Sequence, residues 1–107
     1  MFARIVECTT KPGKATDLNN IIRNEILPIL QTQPGFMDEI TLVPTAKRDQ
    51  VLAVSFWNTS EDAVRYEREQ FPQILNKLES LLKASPKVKT FTVESSTLHK
   101  TTTGQAA

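Results

Sequence analysis

Between Val51 and Trp57 the chain reads Val-Leu-Ala-Val-Ser-Phe-Trp, and this stretch limits the accessible folds more than any other. In an extended strand successive side chains alternate between two faces. One face then carries Leu52, Val54 and Phe56, and the other Val51, Ala53 and Trp57. Both sets are apolar, and a strand apolar on both faces is normally buried on both. The segment from Phe2 to Thr9 behaves alike, with Phe2, Val6 and Cys8 on one face and Ala3 and Ile5 on the other. A sheet made of such strands needs cover on each side.

The rest of the pattern supplies cover for one side only. Phe2 to Thr9 is a strand, broken by Lys11-Pro12-Gly13-Lys14. Residues from about 14 to 33 read as a helix, because Leu18, Ile21, Ile22, Ile26, Ile29 and Leu30 recur at three- and four-residue steps. Pro28 cannot donate to the carbonyl of Asn24, which predicts a kink there. Pro34-Gly35 ends this helix. A second strand over 36–44 and a third over 50–57 flank a polar loop, as in an antiparallel hairpin. The second helix starts at Thr59 or Ser60, where Thr59 and Asp62 match a capping box. Its apolar face runs from Ala63 and Tyr66 through Ile74, Leu75 and Leu78 to Leu81 and Leu82, with Pro72 interrupting it. Ser85-Pro86 closes it, and a fourth strand spans 87–98. The final residues, 99–107, have nothing to bury and are expected to be disordered.

The order βαββαβ over residues 1–98 predicts an α+β, ferredoxin-like domain: a four-stranded antiparallel sheet with both helices on one face. The other face is then an apolar patch, and a symmetric homodimer with the two sheets face to face is its simplest closure.

Composition narrows the function classes. With 107 residues there is room for one domain. Thirteen Lys and Arg against twelve Asp and Glu give a net charge of +1, which argues against a nucleic-acid footprint or a polybasic membrane patch. No apolar run approaches the roughly 20 residues of a membrane span, and the first residues lack the h-region of a signal peptide. Cys8 is the only cysteine, which suits a reducing compartment, so a cytoplasmic location is expected. One Cys and one His, His99, cannot close a zinc site. Gly13, Gly35 and Gly104 lie too far apart for a phosphate-binding loop.

Lys11-Pro12-Gly13-Lys14 after the first strand, Gln33-Pro34-Gly35-Phe36 before the second, and Ser55-Phe56-Trp57 running into Ser60-Glu61-Asp62-Ala63 resemble the antibiotic biosynthesis monooxygenase domain. The likeness spans about residues 2 to 98 and lies in the order and spacing of these motifs. It implies a ferredoxin-like protomer, a homodimer whose sheets form an α/β barrel, and a small cleft between sheet and helices. It also implies oxygenation of a phenol or quinol without metal or flavin. The alternative is a non-catalytic dimeric module of the same fold that binds a small ligand or accompanies stress.

Such chemistry needs an apolar pocket, a group favouring the substrate anion, and donors for the developing oxygen charge. The candidates are Trp57, which can wall a ring pocket or simply pack under the second helix, and Tyr66, whose hydroxyl can meet a phenol. Arg4 and Arg23 can steady an anion, and Asn20 can offer an amide, although each also suits a solvated surface. The haem-degrading branch of the family uses an Asn on the first strand and a Trp and a His on the second helix. Here the first strand reads Arg4-Ile5-Val6-Glu7-Cys8 and the second helix has neither Trp nor His. With no His in the core, the usual base near neutral pH is missing.

Overall fold

Strand β1 (Phe2–Thr9) lies inside the sheet of a computed structural model that describes residues 1–98. The expected disordered tail, 99–107, and His99 within it fall outside the described residues. On one side β1 pairs antiparallel with β3 (Gln50–Trp57), and on the other with β4 (Lys87–Thr92). Strand β2 (Phe36–Leu42) adds to the free edge of β3, giving the order β2-β3-β1-β4. This is the antiparallel four-stranded sheet of a ferredoxin-like α+β fold.

Two strands are shorter than their apolar patterns. β4 ends at Thr92, which faces Phe2, the first residue of β1, and just beyond it Val93 N–H donates to Met1 O at 2.9 Å. β2 stops at Leu42, opposite Leu52, two residues before Pro44, which has no N–H to offer the ladder.

The first helical segment comprises α1 (Ala15–Ile21), a π-helical turn (Ile22–Ile26) and α2 (Leu27–Leu30). The irregularity expected at Pro28 therefore takes the form of a widened turn just before it. Leu27 N–H reaches the carbonyl of Ile22, and Pro28 enters the first turn of α2, where a missing donor is tolerated. The turn also serves packing. Leu18, Ile22, Ile26 and Leu30 follow one another at four-residue steps and are all buried. In a pure α-helix each such step overshoots by about 40°, so the row would drift off the sheet. The wider π turn absorbs the overshoot and keeps all four facing inward.

The second helical segment divides where Pro72 predicts, into α3 (Ser60–Glu69) and α4 (Phe71–Leu78). Thr59 caps α3: its Oγ1 accepts from Asp62 N–H at 3.2 Å and donates to Asp62 Oδ2 at 2.9 Å. A Cβ at Gly35 would overlap the Asp62 side chain, and Gly35 sits at φ +80°, so no other residue fits this turn readily. Helix ends earlier than expected, in a single 3₁₀ turn (Glu79–Leu81). Leu82 leaves the helix to form a bridge with Thr10, yet stays buried.

All helices pack on the sheet face of Val6, Cys8, Val51 and Trp57, which with Leu18, Ile22, Ile26, Leu30, Ala63, Tyr66, Ile74 and Leu78 makes the core. The opposite face carries Ile5, Leu52, Val54 and Phe56 with Ile40, Leu42 and Phe91, the last three 38–50 % exposed. Among the described residues no helix is long and apolar enough to cross a membrane.

Candidate functional site

The strand register decides what lies under the helices. On the helix-facing side, Arg4 of β1 stands beside Ser55 of β3, and Ser55 beside Glu39 of β2. These three form one polar rung across the sheet. The rungs on either side are largely apolar: Phe2, Trp57 and Phe36 on one, Val6, Ala53 and Thr41 on the other. Above the polar rung lies a cavity of about 40 Å³. Its floor is Arg4, Val6, Cys8, Glu39, Ala53 and Ser55, and its roof is Ile22, Ile26, Leu30, Tyr66, Phe71, Ile74 and Leu78.

Arg4 is buried, and its charge is matched at one side only. Its Nη2 and Nε lie 3.1 and 3.3 Å from Glu67 Oε1 on α3. Its guanidinium carbon sits 4.3 Å from the centroid of Phe71 and 5.4 Å from that of Tyr66, in cation–π range of both. Any anion entering the cavity meets this cation.

Tyr66 is buried, and that burial is the chief reason its phenol pKa is pushed up to about 12; Arg4 opposes the shift and Glu39 adds to it. At working pH it is therefore a hydrogen-bond donor and not a base. Ser55 is held by its neighbours: Oγ accepts from Trp57 Nε1 at 2.9 Å and donates to Arg4 O at 3.4 Å. Glu39 is half-buried, and desolvation raises its carboxyl pKa above the ordinary value. The Thr41 hydroxyl donates to its Oε2 at 2.9 Å, which works against that rise, and nearby Asp38 adds to it. Burial pushes the Cys8 thiol up to about 11, with the Glu7 charge contributing, so this cavity-lining sulfur stays protonated and inert.

Of the residues singled out from sequence, Arg4 and Tyr66 meet in the cavity. Trp57 stands behind it, with no exposed surface. It supports Tyr66 at a ring separation of 5.0 Å and meets Phe36 edge-on at 5.6 Å. Asn20 and Arg23 lie elsewhere, on the exposed side of the first helical segment, where Arg23 Nη1 donates to Asn20 Oδ1 at 3.5 Å. Arg23 borders a separate groove between the helix and β2, with Asn19, Leu27, Thr41 and Val43. The cavity residues that sequence reading missed are Glu39, Ser55 and Phe71. A signal for Glu39 existed: in β2 the apolar Ile40 and Leu42 alternate with the polar Glu39 and Thr41. Since Ile40 and Leu42 occupy the open face, the polar pair must face the helices. Among the described residues no cluster of His, Cys, Asp and Glu could hold a metal ion.

Several solved structures share this architecture. A monooxygenase from the gene ActVA-Orf6 of Streptomyces coelicolor, in complex with the ligand nanaomycin D, superposes with a TM-score of 0.78 at 18% identity, covering 92% of each chain. SnoaB, a cofactor-independent oxygenase from Streptomyces nogalater, gives 0.77 at 16% identity over 92% of this chain and 97% of its own. A protein of unknown function from Nitrosomonas europaea gives 0.78 at 16% identity over 92% and 94%. At such identities the likeness establishes the fold alone. No curated protein matches the chain. The sequence model of one family, antibiotic biosynthesis monooxygenase, matches residues 1–70, from β1 to the end of α3. That stretch holds Arg4, Glu39, Ser55 and Tyr66, so the polar rung and its tyrosine lie within the matched part of a chain that belongs to the antibiotic biosynthesis monooxygenase family.

Proposed function

We propose that the protein is a cofactor-independent monooxygenase acting on a small phenol or quinol. The observation that carries this reading is Arg4: a buried guanidinium on the floor of an otherwise mostly apolar cavity, beside a tyrosine that stays protonated. Burial strengthens a charge's interactions, so this cation favours the ionised form of a bound phenol. A phenolate is electron-rich enough to reduce oxygen itself, and the reading assigns no metal or flavin. One oxygen atom enters the ring to give a quinone and the other leaves as water. Tyr66 O–H donates to the negative charge that develops on oxygen. The solved relatives described as a monooxygenase with nanaomycin D and as a cofactor-independent oxygenase are consistent with this assignment.

The same reading makes the protein a cytoplasmic homodimer closed through the open sheet face. The exposed Ile40, Leu42 and Phe91 support the dimer, and the single reduced thiol of Cys8 supports the location. Trp57 acts indirectly, backing the ring of Tyr66. Arg23 is a candidate contact at the outer groove, and Asn20 is a candidate beside it through the hydrogen bond it accepts from Arg23.

The test is oxygen uptake by purified protein with 1-naphthol and a panel of quinols. The expected result is consumption above autoxidation with one quinone formed per oxygen used. Consumption no faster than in protein-free controls across the panel would remove the oxygenase reading. A second reading, a non-catalytic ligand-binding module, is favoured by one observation. The second helical segment, residues 60–81, carries no His, the usual base for turnover near neutral pH. It predicts binding of the same phenols with no oxygen consumed.

A further inference from the structure

We propose that Glu39 accepts the proton of a ring hydroxyl bound in this cavity. The inference rests on the phenol reading above and supplies what that reading lacks, a base. The polar rung sets the geometry. Arg4 and Glu39 occupy its two ends on β1 and β2, with β3 between them. Two strand spacings separate their backbones by about 10 Å. A single ring lying across Ser55 therefore has a cation at one end and a carboxylate at the other.

The other polar groups of the cavity cannot take the proton. Tyr66 and Cys8 hold their own protons to about 12 and about 11. Arg4 is a permanent cation tied to Glu67. Ser55 Oγ is engaged by Trp57 and by the Arg4 carbonyl. Glu39 is the remaining acceptor, and its desolvation makes it a stronger base than a surface carboxylate. Thr41 fixes the carboxylate through its hydroxyl.

The charged and titratable groups around Glu39 are Arg4 from β1, Tyr66 from α3, and Asp38 from its own strand. Ser55, Ile22, Ile26 and Phe71 bring no charge, and Arg23 lies beyond Thr41 in the outer groove. In the step itself the O–H bond of the ring breaks and an O–H bond forms on Glu39. The electron pair stays on the ring oxygen as phenolate, and no oxidation occurs. During turnover the proton then passes to the reduced oxygen and leaves as water.

Titration calorimetry with 1-naphthol and with 1-methoxynaphthalene, which has no proton to give, tests this without turnover. The wild type is expected to bind naphthol about tenfold tighter than the ether near pH 8, the scale of a hydrogen bond to a charged group. That preference should shrink as pH falls and Glu39 protonates. In Glu39→Gln it should be small and independent of pH. Equal binding of the two compounds by the wild type, full preference retained by Glu39→Gln, or no binding of either compound would each overturn the assignment. Oxygen uptake with 1-naphthol gives the second arm: Glu39→Gln should lower kcat about 100-fold with KM changed less than about threefold. Naphthol preference in a protein that consumes no oxygen would remove the oxygenase reading and leave Glu39 as acceptor. Equal turnover by wild type and Glu39→Gln would do the reverse.

Discussion

Arg4 and Glu67 form an unequal ion pair: Nη2 stands 3.1 Å from Oε1, with the arginine side chain 3% exposed and the glutamate 52% exposed. Removing one partner is therefore not equivalent to removing the other. Glu67→Gln leaves a buried cation facing a neutral amide. The cost should be about 1–2 kcal/mol, below the value for a fully buried pair because water reaches Glu67. Arg4→Met leaves an exposed carboxylate that hydrates freely, and should change stability by less than about 1 kcal/mol. Urea unfolding of both variants checks the asymmetry. Phenol binding should be lost in Arg4→Met and retained in Glu67→Gln, because only the first removes the cation from the cavity.

Glu39 carries a stability cost that the protein bears near neutral pH. Its carboxyl pKa is raised in the folded state by desolvation. A carboxylate with a raised folded pKa contributes stability that is fully present below its unfolded pKa. That stability is lost as pH rises through the raised value. Glu39→Gln should thus be more stable than the wild type near pH 7. The difference should vanish at pH below the ordinary carboxylate range, about 4.3. Thermal melts of the two proteins across that range measure it. A stabilised but less active variant is what a functional buried carboxylate predicts.

Ser55→Ala removes the acceptor for the Trp57 indole N–H, which is bound to Ser55 Oγ at 2.9 Å and buried. An unmet buried donor costs about 1–3 kcal/mol. Denaturant unfolding followed by Trp57 fluorescence should show that loss, with the native emission shifted as the indole loses its partner. Ser55→Cys should recover little of it, since sulfur is a weak acceptor.

Val54 lies at the middle of the open face, between Ile5 and Ile40. Sedimentation of the wild type should give a particle of about 24 kDa, twice the 12.0 kDa chain. Val54→Asp places a charge at the centre of each apposed sheet and should shift the population to single chains. A wild type that sediments as one chain at micromolar concentration would refute the dimer.

Several features of the fold were legible because they depend on neighbours in the chain. Thr59 and Asp62 make their cap across three residues, and Pro72 splits the second helical segment wherever the rest of the molecule lies. Gly35 meets a turn whose φ of +80° excludes most other residues. Pro28 signalled a disturbance, but its form was set by packing. Four inward side chains at four-residue steps are kept on one face by a π turn. The length of β4 was not legible, because that strand ends opposite Phe2, the first residue of β1, and apolar residues such as Leu98 continue past that point.

The period of two, by itself, sorted each strand's residues into two opposite sets, and the element order followed from local breaks. Trp57 and Tyr66 came first among the candidates and Arg4, Asn20 and Arg23 stood together behind them; of these three the structure sets Arg4 in the cavity and the other two on an outer surface. Only the tertiary structure decided that Arg4, Ser55 and Glu39 share one rung. A period of two specifies which residues of a strand share a face but not their position along the neighbouring strand. That position is settled by the pairing of whole strands and by the side chains that must interlock above them.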